Sequence, residues 1–397
     1  MTEWARRSFG PGMLVTAAFI GPGTITTASV AGAGAGYVLV WALAFSIVAT
    51  LVLQEMAARI GLVGDGGLAE QLRAALTQKV ARAVVLGLVV VAIGVGNAAY
   101  EAGNITGAVL GASALLDVPR GALVLGITVL AALLLFSGRY RLLETTLAAL
   151  VAFMGVVFVA AALSAPPDAA LVFSVPAGAD AFGLTALALI GTTVVPYNLF
   201  LHASAVRAHW GADADALPAV RRDTCLGIGF GGLVTLAVLS TAAVAFAGTG
   251  TEVSAASMAA QLEPVLGGWA ATCFALGLLA AGLTSAITAP LAAAWAVCGA
   301  LGWSTELRSR SFRMVWAVVL ASGAVTTLAG FRPIAVILIA QVTNALLLPI
   351  IAGLLLWLVN RSALGSARNG ALSNVLAASV LLVVLALSFN RFVQMLG

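Results

Sequence analysis

The chain has 397 residues, of which 62% are hydrophobic and 9% charged, with a formal net charge of +4 and a mean hydropathy of +1.10. Soluble domains carry roughly 25% charged residues, so this balance excludes a water-soluble globule and describes a chain whose main solvent is lipid. The small positive excess belongs to loops and gives no reason to expect a nucleic-acid partner, and nothing in the sequence asks for a cofactor.

Apolar stretches of roughly 20 residues mark candidate membrane spans. In chain order they cover 12–35, 38–59, 83–115, 121–137, 143–163, 181–206, 224–248, 265–300, 314–330, 333–359 and 371–395, which makes eleven. The longest polar connections fall at about 60–82 and 207–223. Placing the N-terminus in the cytoplasm puts sixteen of the 19 Lys and Arg residues on that side and leaves Arg120, Arg332 and Arg391 outside. The outer loops then hold Asp168, Asp180, Glu252 and Glu263. By the positive-inside rule this predicts a multi-pass protein of the cell (inner) membrane, N-terminus cytoplasmic and C-terminus extracytoplasmic. Cys225, Cys273 and Cys298 stand singly in apolar spans and read as packing residues.

Span one contains Gly21-Pro22-Gly23-Thr24 and span six contains Thr192-Thr193-Val194-Val195-Pro196-Tyr197. Pro lacks a backbone donor and Gly tolerates non-helical torsions, so both helices are predicted to open there inside the bilayer. Lipid cannot satisfy the freed backbone groups, and matched breaks in the two halves of a transporter point to its binding site. Spans one to five and six to ten each begin with such a break. Five is odd, so the second set must enter from the opposite side. The predicted architecture is one all-α domain, 1–397, with inverted repeats at about 12–163 and 181–359 and an additional helix at about 371–395.

Polar residues inside the spans are the remaining signal. Asn97, Glu101 and Asn104 share one face of span three. An ionised carboxylate near mid-membrane costs on the order of 3 kcal/mol, so Glu101 is expected to point into the bundle and hold a proton. His202, one and a half turns after Tyr197, has the ordinary pKa for passing a proton or can be a satisfied interior histidine. Glu55 and Arg59 have the i, i+4 spacing of an ion pair that fixes a gate or a helix end.

Three stretches resemble the Nramp family. They are Gly32-Ala33-Gly34-Ala35-Gly36-Tyr37-Val38-Leu39-Val40-Trp41, then Leu53-Gln54-Glu55-Met56-Ala57-Ala58-Arg59-Ile60-Gly61 with Leu68-Ala69-Glu70, and Pro196-Tyr197-Asn198-Leu199-Phe200-Leu201-His202. Gln341 stands where that family carries a Gln in span ten. The resemblance implies the LeuT-type fold of the amino acid, polyamine and organocation superfamily, and proton-linked uptake of divalent metals. It also implies a proton route through Glu101, Asn104 and His202, with H⁺ as the coupling ion. The chain departs from the family pattern at the substrate positions. Family members carry Asp-Pro-Gly-Asn in span one, and Ala-x-x-Met-Pro-His in span six becomes Thr192 to Tyr197 here. Charge and thioether softness are lost together, which argues against a manganese or iron site of the usual kind.

The expected substrate site is therefore Gly21, Gly23, Thr24, Thr192, Val195, Tyr197, Gln341 and Asn344, with no metal ligand set assigned. It offers hydroxyls, amides and freed backbone groups without fixed negative charge. Two occupants fit that description. One is a hard or hydrated divalent cation such as Mg²⁺, which takes oxygen ligands and dehydrates reluctantly. The other is a small anion or polar organic solute of bicarbonate, amino acid or amine size, held by half-helix N-termini. The resemblance favours the first.

Overall fold

A computed structural model describes residues 10–64, 66–137, 141–166 and 183–396. Among these, the apolar stretches are helices and no strand occurs. Span one is α1 (Pro11–Phe19) and α2 (Pro22–Ala35), followed by α3 (Val40–Val63), the short α4 (Leu68–Ala75), α5 (Lys79–Ser113), α6 (Arg120–Ser137) and α7 (Arg141–Ser164). Span six is α8 (Leu184–Thr193) and α9 (Pro196–Trp210). Next come α10 (Leu217–Phe246), α11 (Ala270–Leu301), α12 (Arg310–Leu328), α13 (Pro333–Val359) and α14 (Ala371–Leu396). Among the described residues ten helices are long and apolar enough to cross a bilayer, or eleven with the bent α1–α2 pair taken as one span. The all-α, LeuT-type arrangement with breaks in spans one and six is the observed architecture. Arg391, Asp168 and Asp180, used above to set sidedness, lie outside the residues or side chains described.

Two expected connections are more helical than their polarity suggests. In 60–82, α4 buries Leu68, Ala69 and Leu72 while Glu70 and Arg73 stay on its other side, so its amphipathic pattern beats its charge. In 207–223, α9 runs on to Trp210 and α10 begins at Leu217 with Pro218 in its first turn. There a proline costs nothing, because the N–H it lacks has no intrahelical acceptor.

Small residues set the packing distances. Gly111 of α5 faces the backbone of Leu279 in α11, where a Cβ would stand 2.5 Å from the Leu279 nitrogen, and Gly282 of α11 likewise faces Ala108. Without a hydrophobic force between helices in lipid, such close approach supplies the van der Waals contact that holds a bundle. The outer face is apolar instead: Val80, Val84, Leu88, Val91 and Val95 form an exposed row along α5, and Leu125, Val129 and Leu133 along α6. The packing role expected for the cysteines holds for buried Cys298; Cys225 is exposed on α10.

One end of the bundle gathers the arginines. Arg59 contacts the 361–370 connection, Arg221 reaches Glu55, Arg207 donates to the Gly64 carbonyl and Arg361 to that of Ala75. These contacts gather residues that the positive-inside reading assigns to one side.

Candidate functional site

Both predicted breaks exist, and both are shorter than the motifs that announced them. At the first, Ile20 (φ −77°, ψ 69°) leaves the helix and Gly21 is extended (φ −109°, ψ −174°), so that α1 and α2 meet at 57°. Pro22, Gly23 and Thr24 are the first turn of α2 and not part of the unwound segment. At the second, only Val194 (φ −95°, ψ 80°) and Val195 (φ −90°, ψ 118°) are non-helical. Thr192 and Thr193 end α8, while Pro196 and Tyr197 begin α9. The correction has one cause: the fixed φ of proline suits the first helical position, so each Pro starts the new half-helix just after the break it enforces.

The breaks touch each other through hydroxyls. Thr24 Oγ1 lies 2.8 Å from Thr192 Oγ1 and also donates to the Phe19 carbonyl. A hydroxyl has one proton, so Thr192 is the donor to Thr24 and a chain of two bonds runs from span six into span one. Thr50 of α3 donates to the Ser46 carbonyl at 2.7 Å, with the Thr193 carbonyl a longer, shared acceptor at 3.3 Å. The Phe19 carbonyl at the first break is thus met by a side chain, as a membrane interior demands.

Around this bridge the other expected residues assemble. Gly23 lies against the Gln341 side-chain amide, which occupies the space a Cβ would need, and Gly191 lies against the Gln341 carbonyl. Asn344, one turn further along α13, approaches Gly96 of α5, with Oδ1 3.7 Å from a Cβ built there. Val195 serves through its backbone at the start of α9. Tyr197 meets Tyr100 edge-on, with ring centroids 5.4 Å apart at 65°. Thr24, Thr192, Val195, Tyr197, Gln341 and Asn344 are all buried, so the site is closed to both ends of the bundle.

Two lining residues escaped the sequence reading. Gly21 opens toward Ser285 of α11, whose Oγ is 2.9 Å from the position of an added Cβ, and toward the Tyr100 hydroxyl at 3.8 Å. Thr284-Ser285 is a polar pair in a long apolar helix, and Tyr100 precedes the acid that drew notice to span three. Those were the available signals. Buried Ser285 Oγ, Gln341 Oε1 and Asn344 Nδ2 make no hydrogen bond. Leaving such an atom unpaired costs about 1–3 kcal/mol, so Ser285 Oγ and Gln341 Oε1, against Gly21 and Gly23, mark where a polar guest is expected.

The proposed proton-route residues divide into two groups. Glu101 accepts from Asn104 Nδ2 at 3.2 Å, its other oxygen has no partner, and it packs against Gly323 of α12. Asn97 is turned to its own helix, donating to the Ile93 carbonyl at 2.9 Å. His202 sits elsewhere, with Nδ1 3.0 Å from Gln54 Oε1 and Nε2 3.5 Å from Thr224 Oγ1. Glu55 and Arg59 pair at 2.9 Å as their spacing predicts, and the structure adds Arg221 as a second partner of Glu55 at 2.9 Å. Arg59 also donates to the Ala367 carbonyl at 2.8 Å and to Asn369 Oδ1 at 2.5 Å, tying α3 to the connection between α13 and α14. Among the described residues no three His, Cys, Asp or Glu side chains converge as a metal site.

The profile of the family described as "Natural resistance-associated macrophage protein-like" matches residues 12–394. The chain belongs to the Nramp family. Within it, the chain is similar to the divalent metal cation transporter MntH of Acidiphilium cryptum, 29% identical over 98% of this chain and 90% of that protein. It is 32% identical to the MntH of Xanthomonas campestris pv. campestris over 78% and 74% of the two chains. The crystal structure of the Eremococcus coleocola manganese transporter with an aromatic bis-isothiourea compound superposes with a TM-score of 0.76 at 22% identity, covering 96% of this chain and 84% of that one. Mhp1, a nucleobase-cation-symport-1 family transporter, shares the fold at a TM-score of 0.57 and 14% identity over 99% and 94%. In this Nramp chain, then, the two half-helix junctions that meet at Thr24 and Thr192 belong to a membrane-transport scaffold.

Proposed function

We propose that this Nramp-family chain moves a divalent cation across the cytoplasmic membrane by alternating access, and binds it as a hard or still-hydrated ion such as Mg²⁺. Relatives named as divalent metal cation transporters support the class of cargo. The observation that carries the selectivity is the donor set: Ser285 Oγ and Gln341 Oε1, buried and unpartnered beside Gly21 and Gly23, together with the Thr24 and Thr192 hydroxyls. These are neutral oxygens. They are matched to the water shell of an ion that dehydrates reluctantly, and they lack the charge and sulfur that offset dehydration of softer metals.

In this reading Glu101 carries the coupling proton, with Asn104 orienting its carboxyl and His202 relaying toward the arginine-rich end, which is cytoplasmic. Glu55, Arg59 and Arg221 close that end. A second reading has one observation of its own. Asn344 Nδ2 is a buried donor without an acceptor. A donor cannot ligate a cation but suits a small anion or polar organic solute.

Calorimetry on the purified protein, with uptake in proteoliposomes, separates these. Mg²⁺ uptake with no micromolar binding of Mn²⁺ or Cd²⁺ is expected. Micromolar binding of the soft ions contradicts the selectivity proposal, and uptake of an anion or solute with no divalent cation moved selects the second reading. The combined change Gly21→Asp, Thr24→Asn, Val195→Met and Tyr197→His is expected to create Mn²⁺ binding if the site is where the breaks meet; Ser285 must shift to admit the carboxylate introduced at position 21.

A further inference from the structure

Away from the helix breaks, α4, the first turns of α5 and the end of α11 enclose two adjoining clefts of about 480 and 430 Å³ at the arginine-rich end. Arg73 and Arg82 line both, and Lys79 lines the second. Arg73 lies over Gly302, a residue with φ +71° that caps α11, and a side chain at 302 would collide with the guanidinium. Arg73 and Lys79 have no hydrogen-bond or ion-pair partner among the described residues. Arg82 spends one donor on the Leu76 carbonyl at 2.7 Å. Three cations therefore face a cavity whose lining contains one carboxylate, Glu70. Burial pushes the Glu70 carboxyl above the usual range, which weakens the only negative charge there.

The clefts also have an apolar side. Leu86, Gly87 and Leu301 line the second, and Trp303 lines the first. From that wall the exposed row Val80, Val84 and Leu88 runs along α5 into the bilayer-facing surface. A free phosphate would use the cations and leave this wall bare. A phospholipid uses both, because basic pockets between spans hold headgroup phosphates while Trp sits at headgroup level. Arg adds bidentate hydrogen bonding to phosphate.

We propose that this cleft is a binding site for an anionic phospholipid, with its headgroup phosphate between Arg73, Lys79 and Arg82 and an acyl chain along the exposed row of α5. The test is native mass spectrometry of the full chain released from nanodiscs containing equal phosphatidylglycerol and phosphatidylcholine. Wild type is expected to retain phosphatidylglycerol preferentially. Arg73→Gln with Arg82→Gln should weaken that retention roughly 10- to 30-fold, since each basic residue near an anionic surface is worth about fivefold in affinity. Arg308→Gln, an exposed cation outside the cleft, should leave it unchanged. Melting curves in pure phosphatidylcholine check that the double variant is folded; if it is not, Arg82→Gln alone is used. Equal retention by wild type and variant overturns the proposal, as does equal retention of the two lipids by wild type. Displacement of the lipid by millimolar inorganic phosphate overturns it too, in favour of a free-anion site.

Discussion

The hydroxyl chain from Thr192 through Thr24 to the Phe19 carbonyl makes a quantitative demand on the two breaks. Replacing Thr24 by Val keeps its shape and removes both bonds. The Phe19 carbonyl still accepts from Gly21 N–H at 2.9 Å, but the buried Thr192 hydroxyl is left without an acceptor. One lost bond is worth about 1 kcal/mol and an orphaned donor about 1–3 kcal/mol, so Thr24→Val is expected to cost about 2–3 kcal/mol. Replacing Thr192 by Val removes one bond and leaves Thr24 satisfied by Phe19, for about 1 kcal/mol. In the double variant nothing is orphaned, and the cost should fall to about 2 kcal/mol, below the sum of the singles. The coupling of about 1–2 kcal/mol stands above the average of about 0.6 and near the maximum of about 1.7 found for hydrogen bonds between membrane helices. Reversible unfolding in mixed micelles with increasing dodecyl sulfate measures all four corners of the cycle. Additivity of the two substitutions within about 0.3 kcal/mol would refute the bridge between spans one and six.

Glu101→Gln in proteoliposomes should abolish the pH dependence of uptake while leaving the Asn104 contact possible; a pH profile like that of wild type removes Glu101 from proton coupling. For Glu70 the sign follows from burial. Its folded-state pKa is raised, so the folded chain binds the proton more tightly than the unfolded one, and stability falls as pH rises from the ordinary glutamate range through the raised value. Glu70→Gln should therefore be the more stable protein at pH 7.5, with the advantage vanishing below about pH 4 in pH-dependent melting; a pH-independent difference contradicts this. Arg59→Gln breaks the Glu55 pair and two contacts to the 367–369 segment, and should cost about 1–3 kcal/mol from the lost charge-assisted hydrogen bonds, since Glu55 keeps Arg221. Protease protection of the 361–370 connection is the second readout, and its retention would show that Arg59 does not fasten it.

Periodicity and composition carried the fold because lipid imposes one rule on every span: bury backbone polarity in a helix and show apolar side chains outward. That rule made the eleven spans and the end richer in arginine legible from the chain alone. It also made the breaks legible, since Pro22 and Pro196 announce themselves at any level of structure. Their exact extent was not, because whether a proline lies in the gap or starts the next helix depends on the turn it joins.

The site was half legible. Thr24 and Thr192 stand in the break motifs and Gln341 came from the family resemblance, and the structure places all three beside the breaks. Ser285 and Tyr100 were missed because what they contribute is proximity to Gly21, and proximity is set by α5 and α11 closing on small residues such as Gly111 and Gly282. The same holds for Arg221 joining Glu55 from 166 residues away, and for Arg73 finding no partner among the described residues. The order of residues was enough to show that this chain lies in a membrane, that its two halves each open with an interrupted helix, and that no acid stands at those interruptions. Which polar groups face one another across the bundle was left to tertiary packing, because side-chain contacts between spans depend on helix rotation and approach distance, and hydropathy carries neither.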